Sequence, residues 1–263
     1  MKAASKKKIS GVVAHSLVAA INTTPFPTDL PAVTSNKKIT SDPFVMFEAT
    51  TYEDIMKQLT DHAVSTQKGV EGGLFMHHGE SKSLKADWQS KRKRECLLLE
   101  LSFANPKSIL EVGFNAGHSS AMFMSSNPEV SIHAFDICRH SYTQPAADAL
   151  KNMFEGRLML TCGDSATTIP AFRKELEALP VEQRTTFDFL FIDGDHRMEN
   201  ALLDIVNSCS IAKESATVVV DDCEQGPVLE AWNEAVKQKI VRPIHWGLCW
   251  VNTCYGRCNN DNK

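Results

Sequence analysis

From residue 106 onward the sequence alternates between short apolar runs, rich in β-branched and aromatic residues, and longer segments with helical periodicity. This alternation predicts an α/β fold in which a mostly parallel sheet is covered by helices on both faces. Parallel strands are predicted over residues 108–112, 130–137, 158–162, 187–192 and 216–220, and helices over 118–126, 144–154, 171–179, 198–211 and 227–239. Two final strands, predicted over 241–246 and 248–254, are separated only by Gly247 and are expected to pair antiparallel. The expected architecture is a doubly wound sheet of seven strands.

The N-terminal part differs in composition from this alternating region. Residues 1–45 combine lysines, prolines, serines and threonines and are predicted to form a flexible basic tail and linker, with a cleaved organellar leader as the alternative for its first part. Residues 46–263 are expected to form one domain, whose helical N-terminal part, 46–105, contains helices predicted over 52–66 and 84–103. The basic run from Lys91 to Arg94 is interpreted as a solvated helix face rather than a nucleic-acid patch.

Length and charge exclude several classes of protein. A chain of 263 residues with 43% hydrophobic side chains can bury a core without disulfides or a structural metal. The net charge of −4 gives no general attraction for nucleic acid, and no apolar run approaches the roughly 20 residues that span a bilayer. We therefore expect a cytoplasmic protein that acts on a small molecule, without a nucleic-acid or membrane partner. A homo-oligomer is compatible with the sequence.

Eight cysteines are spread over the chain without a C-x-x-C pair. Five of them lie inside or at the ends of apolar segments, which favours reduced thiols. Cys249, Cys254 and Cys258 lie close together near the C-terminus, but their spacing matches no zinc motif. A metal or redox role for these three residues is the alternative.

Polar residues follow the predicted strands at the edge where open α/β sheets bind ligands. The first strand leads into Glu111-Val-Gly113-Phe-Asn115-Ala-Gly117, whose glycines permit a tight turn and a close approach of the backbone to a ligand. Asp136 ends the second strand, where its carboxylate can accept hydrogen bonds from both hydroxyls of a ribose. Asn115 stands where a dinucleotide loop carries its second glycine, so the loop fits a nucleoside without phosphates better than a dinucleotide.

At these motifs the sequence resembles the class I S-adenosylmethionine-dependent methyltransferases, over about residues 106–255. The resemblance implies a Rossmann-like methyltransferase fold and a cofactor site at the strand ends. By this resemblance the methionine and ribose side is lined by Glu111, Gly113, Asn115 and Gly117, the ribose hydroxyls are bound by Asp136, and the adenine is contacted by Asp164 and Ser165. For Asp164 alone, a helix N-cap or a turn after Gly163 is an equally good interpretation.

Acidic residues follow the next two strands, with Asp193-Gly-Asp195-His196 after the fourth and Asp221-Asp222 after the fifth. Carboxylates at adjacent strand ends repel one another unless a cation neutralises them. Asp193, Asp221 and Asp222 are therefore predicted to bind Mg²⁺ or a similar divalent cation. The alternative is structural: Asp193 caps the following helix and the Asp-Asp pair forms a polar turn.

This acidic pattern resembles the cation-dependent O-methyltransferases of the catechol and caffeoyl-coenzyme A type. Two positions depart from the pattern, because Asp222 replaces an Asn and His196 stands where those families carry a catalytic Lys. A D-x-x-H element with two acidic residues after strand five is more similar to the metal-dependent sugar O-methyltransferases of macrolide biosynthesis. The departures argue against a catechol substrate.

We therefore expect transfer of a methyl group from S-adenosylmethionine to a hydroxyl or diol of a small molecule. Asp193 would hold the cation, which lowers the pKa of the hydroxyl, and His196 would accept the proton. Asp195 would orient the imidazole or bind the cofactor. Two alternatives stay open: a metal-independent methyltransferase acting on nitrogen or a carboxylate, and a catalytically silent regulator that binds the cofactor.

Overall fold

The structure of the chain, a computed structural model, describes residues 52–66, 88–224, 226–244 and 252–259. The tail and linker predicted over 1–45 lie outside these residues, as do positions 248–251 of the last predicted strand. None of the helices in the described part of the chain is long and apolar enough to cross a membrane.

Seven strands form one sheet. Their bounds are β1 Ser108–Val112, β2 Ser131–Asp136, β3 Leu158–Cys162, β4 Phe187–Ile192, β5 Ala212–Val220, β6 Val241–Pro243 and β7 Cys254–Cys258. The strand order is β3-β2-β1-β4-β5-β7-β6, with β1 to β5 parallel and β7 antiparallel to both β5 and β6. The order reverses between β1 and β4, which is the topological switch point at which such sheets bind ligands. The predicted fold class is confirmed.

The predicted strand bounds are wrong at the start of β5, which begins at Ala212 instead of residue 216, and in the C-terminal strands. The last strand begins at Cys254, where the predicted one ends, and β6 is shorter than predicted. Pairing with β5 sets this register, since Val220 lies opposite Cys254 and Thr217 opposite Arg257. That pairing is a long-range contact, and the Cys-Tyr-Gly-Arg-Cys segment has no apolar alternation by which a local pattern would reveal it.

Seven α-helices accompany the sheet in the described residues. They are α1 Tyr52–Thr66, α2 Trp88–Ala104, α3 His118–Ser126, α4 Thr143–Met153, α5 Ser165–Ala178, α6 Met198–Ser210 and α7 Pro227–Lys237. All were predicted, but α5 begins earlier than expected. Pro170 suggests a helix that starts after it, whereas the side chain of Asp164 accepts a hydrogen bond from the backbone N–H of Ala166 and caps the helix six positions before the proline.

The two faces of the sheet carry two separate apolar cores. Successive residues of β1, Ile109 and Leu110, point into different cores, as expected from the alternation of side chains along a strand. Helices α1 to α4 cover one face and α5 to α7 the other. The α1 helix is joined to the core by its apolar stripe and by a contact of 3.0 Å between Oγ1 of Thr60 and Nε2 of His118. Burial lowers the pKa of His118 to about 4, so its imidazole is neutral at physiological pH.

Three disulfides correct the prediction that the cysteines are reduced thiols. They join Cys138 to Cys162, Cys209 to Cys258 and Cys223 to Cys254, with Cα atoms 5.4–5.6 Å apart. The partners are separated by 24, 49 and 31 positions, so only the fold brings them together. Since disulfides persist in oxidising compartments and are rare in the cytosol, these bonds argue against the expected cytoplasmic location.

Candidate active site

The loop after β1 is built around Gly113. Its φ of 93° lies in the left-handed region, and a Cβ at this position would overlap the carbonyl oxygen of Asp193. Only glycine therefore allows the loop to pass this close to the end of β4. Gly117 also has a positive φ, 79°, and a Cβ there would lie 2.7 Å from the ring of Phe114. The tight turn predicted for this loop is present.

Asp136 fixes the loop to the end of β2. Its Oδ2 accepts a hydrogen bond of 2.8 Å from the backbone N–H of Asn115, and its Oδ1 accepts one of 2.6 Å from that of Cys138. Asn115 adopts a left-handed φ of 53°, and its Oδ1 accepts a hydrogen bond of 2.7 Å from the hydroxyl of Tyr142. Each carboxylate oxygen has two lone pairs. Asp136 therefore keeps acceptor capacity for a ligand while it holds the loop.

Glu111 lies beneath this loop rather than in it. Its side chain is completely buried, and its two carboxyl oxygens hydrogen-bond the hydroxyls of Ser119 and Ser120 in the first turn of α3. Burial raises the pKa of Glu111 to about 7, although the two serine hydroxyls oppose the shift. The carboxyl group thus ties β1 to α3, and the structure gives it no open face toward a ligand.

The residues after β3 have a structural role in this structure. Asp164 is the N-cap of α5, with its Oδ1 accepting a hydrogen bond of 2.9 Å from the backbone N–H of Ala166. Ser165 is the first residue of that helix. The capping interpretation of Asp164 is confirmed, and contact with an adenine stays a prediction for both residues.

Asp193, Asp221 and Asp222 meet at the carboxyl ends of β4 and β5, and we call them the acidic cluster. The backbone N–H of Asp193 donates to the carbonyl of Val112 and that of Asp221 to the carbonyl of Ile192, each over 2.8 Å. These bonds continue the sheet ladder beyond the strands. The cluster is therefore held on the rigid end of the sheet, as the parallel topology predicts.

The side chain of Lys93 contacts the acidic cluster, although the sequence predicted this residue on a solvated helix face. Lys93 of α2 forms an ion pair with Asp221, and the side chains are 17% and 1% exposed. Burial lowers the pKa of Lys93, but Asp221, Asp193 and Asp222 together outweigh it and hold the pKa above its usual value. Lys93 is therefore charged, and the interpretation of the whole basic run as a solvated face is wrong for this residue.

A periodicity signal for Lys93 was present in the sequence. Lys93 precedes Leu97 by four positions and Leu101 by eight, and both leucines are buried on the core side of α2. Residues at these spacings share one helix face. A basic residue on an apolar face needs an acidic partner, which is the signal that would have identified it.

The pKa values of two cluster carboxyls are raised. Burial raises the pKa of Asp193 well above its ordinary value, and Asp221 adds to the shift while Lys93 opposes it. Burial likewise raises the pKa of Asp221, against the lowering effect of Lys93. Concentrated negative charge in a buried place is the electrostatic condition under which a cation is bound.

His196 meets the acidic cluster through Asp222. Its Nε2 lies 3.2 Å from Oδ2 of Asp222, and its side chain is 56% exposed. Asn252, at the start of the segment that leads into β7, donates a hydrogen bond from Nδ2 to Oδ1 of Asp222. Asn252 was not predicted, because no local motif connects it to a residue 30 positions away.

Three groups of the described residues are arranged as a metal could require. One ligand atom each from Asp193, His196 and Asp222 lies within 4.8 Å of the others. A single cation with ligand distances of about 2.0–2.6 Å can contact all three at that separation. These three residues therefore fit a divalent cation. The sequence predicted Asp221 as a ligand, whereas the structure groups His196 with Asp193 and Asp222.

Asp195 is engaged away from His196. Its carboxylate accepts hydrogen bonds from the guanidinium of Arg197 and, over 3.0 Å, from Nδ2 of Asn200. The Arg197 hydrogen bonds hold the pKa of Asp195 well below its usual range. The structure thus shows Asp195 ordering the start of α6, and no contact through which it orients the imidazole is seen among the described residues.

Two of the disulfides border the site. Cys138–Cys162 joins the ends of β2 and β3 beside Asp136, and Cys223–Cys254 joins the segment after β5 to β7 beside the acidic cluster. Both therefore restrict the loops that carry the candidate site residues.

Comparison with known proteins finds similarity to methyltransferases. Residues 110–223 match the family model described as a methyltransferase domain. No curated protein matches the chain in sequence at a significant level.

Solved structures share the fold at low sequence identity. An O-methyltransferase from Bacillus cereus in complex with SAH has a TM-score of 0.53 and 13% identity, over 79% of this chain and 90% of that one. A putative O-methyltransferase from Klebsiella pneumoniae has a TM-score of 0.51 and 15% identity, over 94% and 96% of the two chains. The O-methyltransferase TomG from Streptomyces achromogenes, in complex with SAM, has a TM-score of 0.54 and 12% identity, over 78% and 90%.

Proposed function

We propose that the protein transfers a methyl group from S-adenosylmethionine to a hydroxyl of a small molecule, because residues 110–223 match a methyltransferase-domain model and the sheet shares its fold with solved O-methyltransferases. The observation that carries the proposal is the meeting of two sites at one sheet edge. The loop held by Asp136 and the acidic cluster lie side by side, because Gly113 packs against Asp193.

The loop side supports a nucleoside cofactor. Asp136 retains lone pairs on both oxygens, a pattern that matches the two hydroxyls of a ribose. S-adenosylmethionine supplies a methyl group on a sulfonium leaving group. The protein then has to align the acceptor oxygen with that methyl carbon, and the rigid strand ends of β1 and β4 serve this positioning.

The cluster side supports assistance by a divalent cation. Asp193, Asp222 and His196 would hold the ion, with Asn252 orienting Asp222. A bound cation lowers the pKa of a hydroxyl that it contacts, which makes the oxygen nucleophilic at neutral pH. Vicinal hydroxyls suit such a site because two oxygens can approach the same ion.

A metal-independent methyltransferase is the second candidate, and the Lys93 ion pair favours it. The ammonium of Lys93 already neutralises one carboxylate of the cluster. In this arrangement Asp222 orients His196 through Nε2, which leaves Nδ1 of His196 to accept a proton from the acceptor. The predicted role of His196 as the general base is thus compatible with the metal-independent candidate. A role of His196 as a metal ligand is compatible with the cation-assisted candidate.

Calorimetry separates the candidates. S-adenosylmethionine is titrated into protein purified without reductant, and Mn²⁺ is then titrated into the complex after chelation. Binding of both supports the cation-assisted reaction, and we expect Asp193→Asn to abolish Mn²⁺ binding while the exposed control Asp148→Asn retains it. Cofactor binding without Mn²⁺ binding supports the second candidate. Failure of the cofactor to bind refutes the proposal itself.

A further inference from the structure

Lys93 reaches the acidic cluster from outside the methyltransferase core. It belongs to α2, which precedes β1, whereas the three carboxylates of the cluster follow β4 and β5. The ion pair with Asp221 is nearly closed to solvent, and Asp193 and Asp222 are near enough to act on the same ammonium. A buried ion pair contributes little to stability compared with apolar packing of the same size. Stability alone therefore does not explain a lysine at this position.

The ammonium changes what the cluster offers to a metal. With all three carboxyls ionised the cluster carries a charge of −3, and the ammonium of Lys93 reduces it to −2. Asp221 is also occupied by Lys93, and the ligand set whose atoms converge consists of Asp193, His196 and Asp222 without it. The ammonium of Lys93 lies against a carboxylate of the cluster and repels an incoming cation, and this repulsion is strong where the surroundings exclude water.

We propose that Lys93 sets the cation affinity of the active site by holding Asp221 out of the ligand set and by reducing the negative charge of the cluster. Lys93 is thus a positioning residue that makes cation binding weak and reversible. This inference deepens the proposed function and depends on the cation site described there. It also makes docking of α2 part of the active site, since the N-terminal helical part supplies the charge.

The proposal is tested by titrating Mn²⁺ into four proteins in the absence of cofactor and acceptor. Binding is measured from the EPR signal of the free ion and by calorimetry. Lys93→Met raises the formal charge to −3 and frees Asp221, so we expect Mn²⁺ to bind at least about tenfold more tightly. Lys93→Arg keeps the charge and is expected to bind as the unmodified protein does. Lys107→Met is the matched control, because Lys107 pairs with Glu129 on the surface near the starts of β1 and β2. It should leave the affinity unchanged.

A charge cycle keeps the test valid if Lys93→Met folds poorly. Asp221→Asn alone reduces the formal charge to −1 and should weaken Mn²⁺ binding about tenfold, although Asp221 is not a ligand. The double variant Lys93→Met/Asp221→Asn restores −2 and should return the affinity to within about threefold of the unmodified protein.

Each outcome bears on the proposal. Tighter Mn²⁺ binding by Lys93→Met than by the unmodified protein, with unchanged binding by Lys93→Arg, supports it. Unchanged or weaker binding by Lys93→Met overturns it, and so does a double variant that differs from the unmodified protein by tenfold or more. Absence of Mn²⁺ binding in every variant also overturns it, while the separate titration with S-adenosylmethionine shows whether the methyltransferase proposal survives.

Discussion

The disulfide between Cys209 and Cys258 should make a large contribution to stability. It joins the end of α6 to the end of the last strand across 49 positions, and both cysteines are buried. The Cys223–Cys254 bond lies inside that loop and removes 31 positions from it, which leaves about 18 residues of free chain in the unfolded state. Loop-closure entropy for a loop of this length amounts to about 3 kcal/mol.

The double variant Cys209→Ala/Cys258→Ala tests this contribution of about 3 kcal/mol. Its unfolding in urea is monitored by circular dichroism in the absence of reductant. We expect the free energy of unfolding to fall by about 3 kcal/mol and Tm by about 6–12 °C. Cys96→Ala is the control for the loss of a buried sulfur, since Cys96 is buried and takes no part in these three bonds. Peptide mapping without reduction checks the pairing. A double variant that loses no more stability than two such controls would, or a peptide map with other partners, would contradict this contribution of the disulfide.

Three further predictions concern the loop side of the site. Burial raises the pKa of Glu111 from 4.5 to about 7 in the folded state, so the folded protein holds a proton that the unfolded chain has lost, and the free energy of unfolding falls as pH rises through this range. Between pH 4.5 and 8 this fall amounts to about 3 kcal/mol. Glu111→Gln should not show it, which urea titrations of both proteins across this pH range would measure. Gly113→Ala should destabilise the fold by about 2–4 kcal/mol, because the added methyl group overlaps the backbone of Asp193. Gly156→Ala is the control for the backbone cost alone, since Gly156 has a φ of 71° but open space around the position of a Cβ. Equal losses of stability in the two variants would contradict the steric explanation. Asp136→Ala should weaken S-adenosylmethionine binding about tenfold or more in calorimetry, and an unchanged affinity would remove Asp136 from the site.

Some features of the site followed from the sequence because they depend on local pattern and on the topology that this pattern implies. Alternating strands and helices predict a parallel sheet, and in a parallel sheet the residues after every strand converge on one edge. The sequence alone therefore places Asp193 and Asp222 together. The close approach of Gly113 to the end of β4 follows from the same topology.

Other features depend on which distant segments meet, and no local pattern records that. The sequence determined the sheet, the edge at which its polar residues gather and the acidic character of that edge, because each follows from short-range periodicity. Only the tertiary structure decided that Cys138 pairs with Cys162, that Lys93 enters the acidic cluster and that His196 rather than Asp221 lies with Asp193 and Asp222 in the group that could hold a metal ion. These are contacts between side chains brought together by long-range packing, and their geometry exists only after the helices have docked on the sheet.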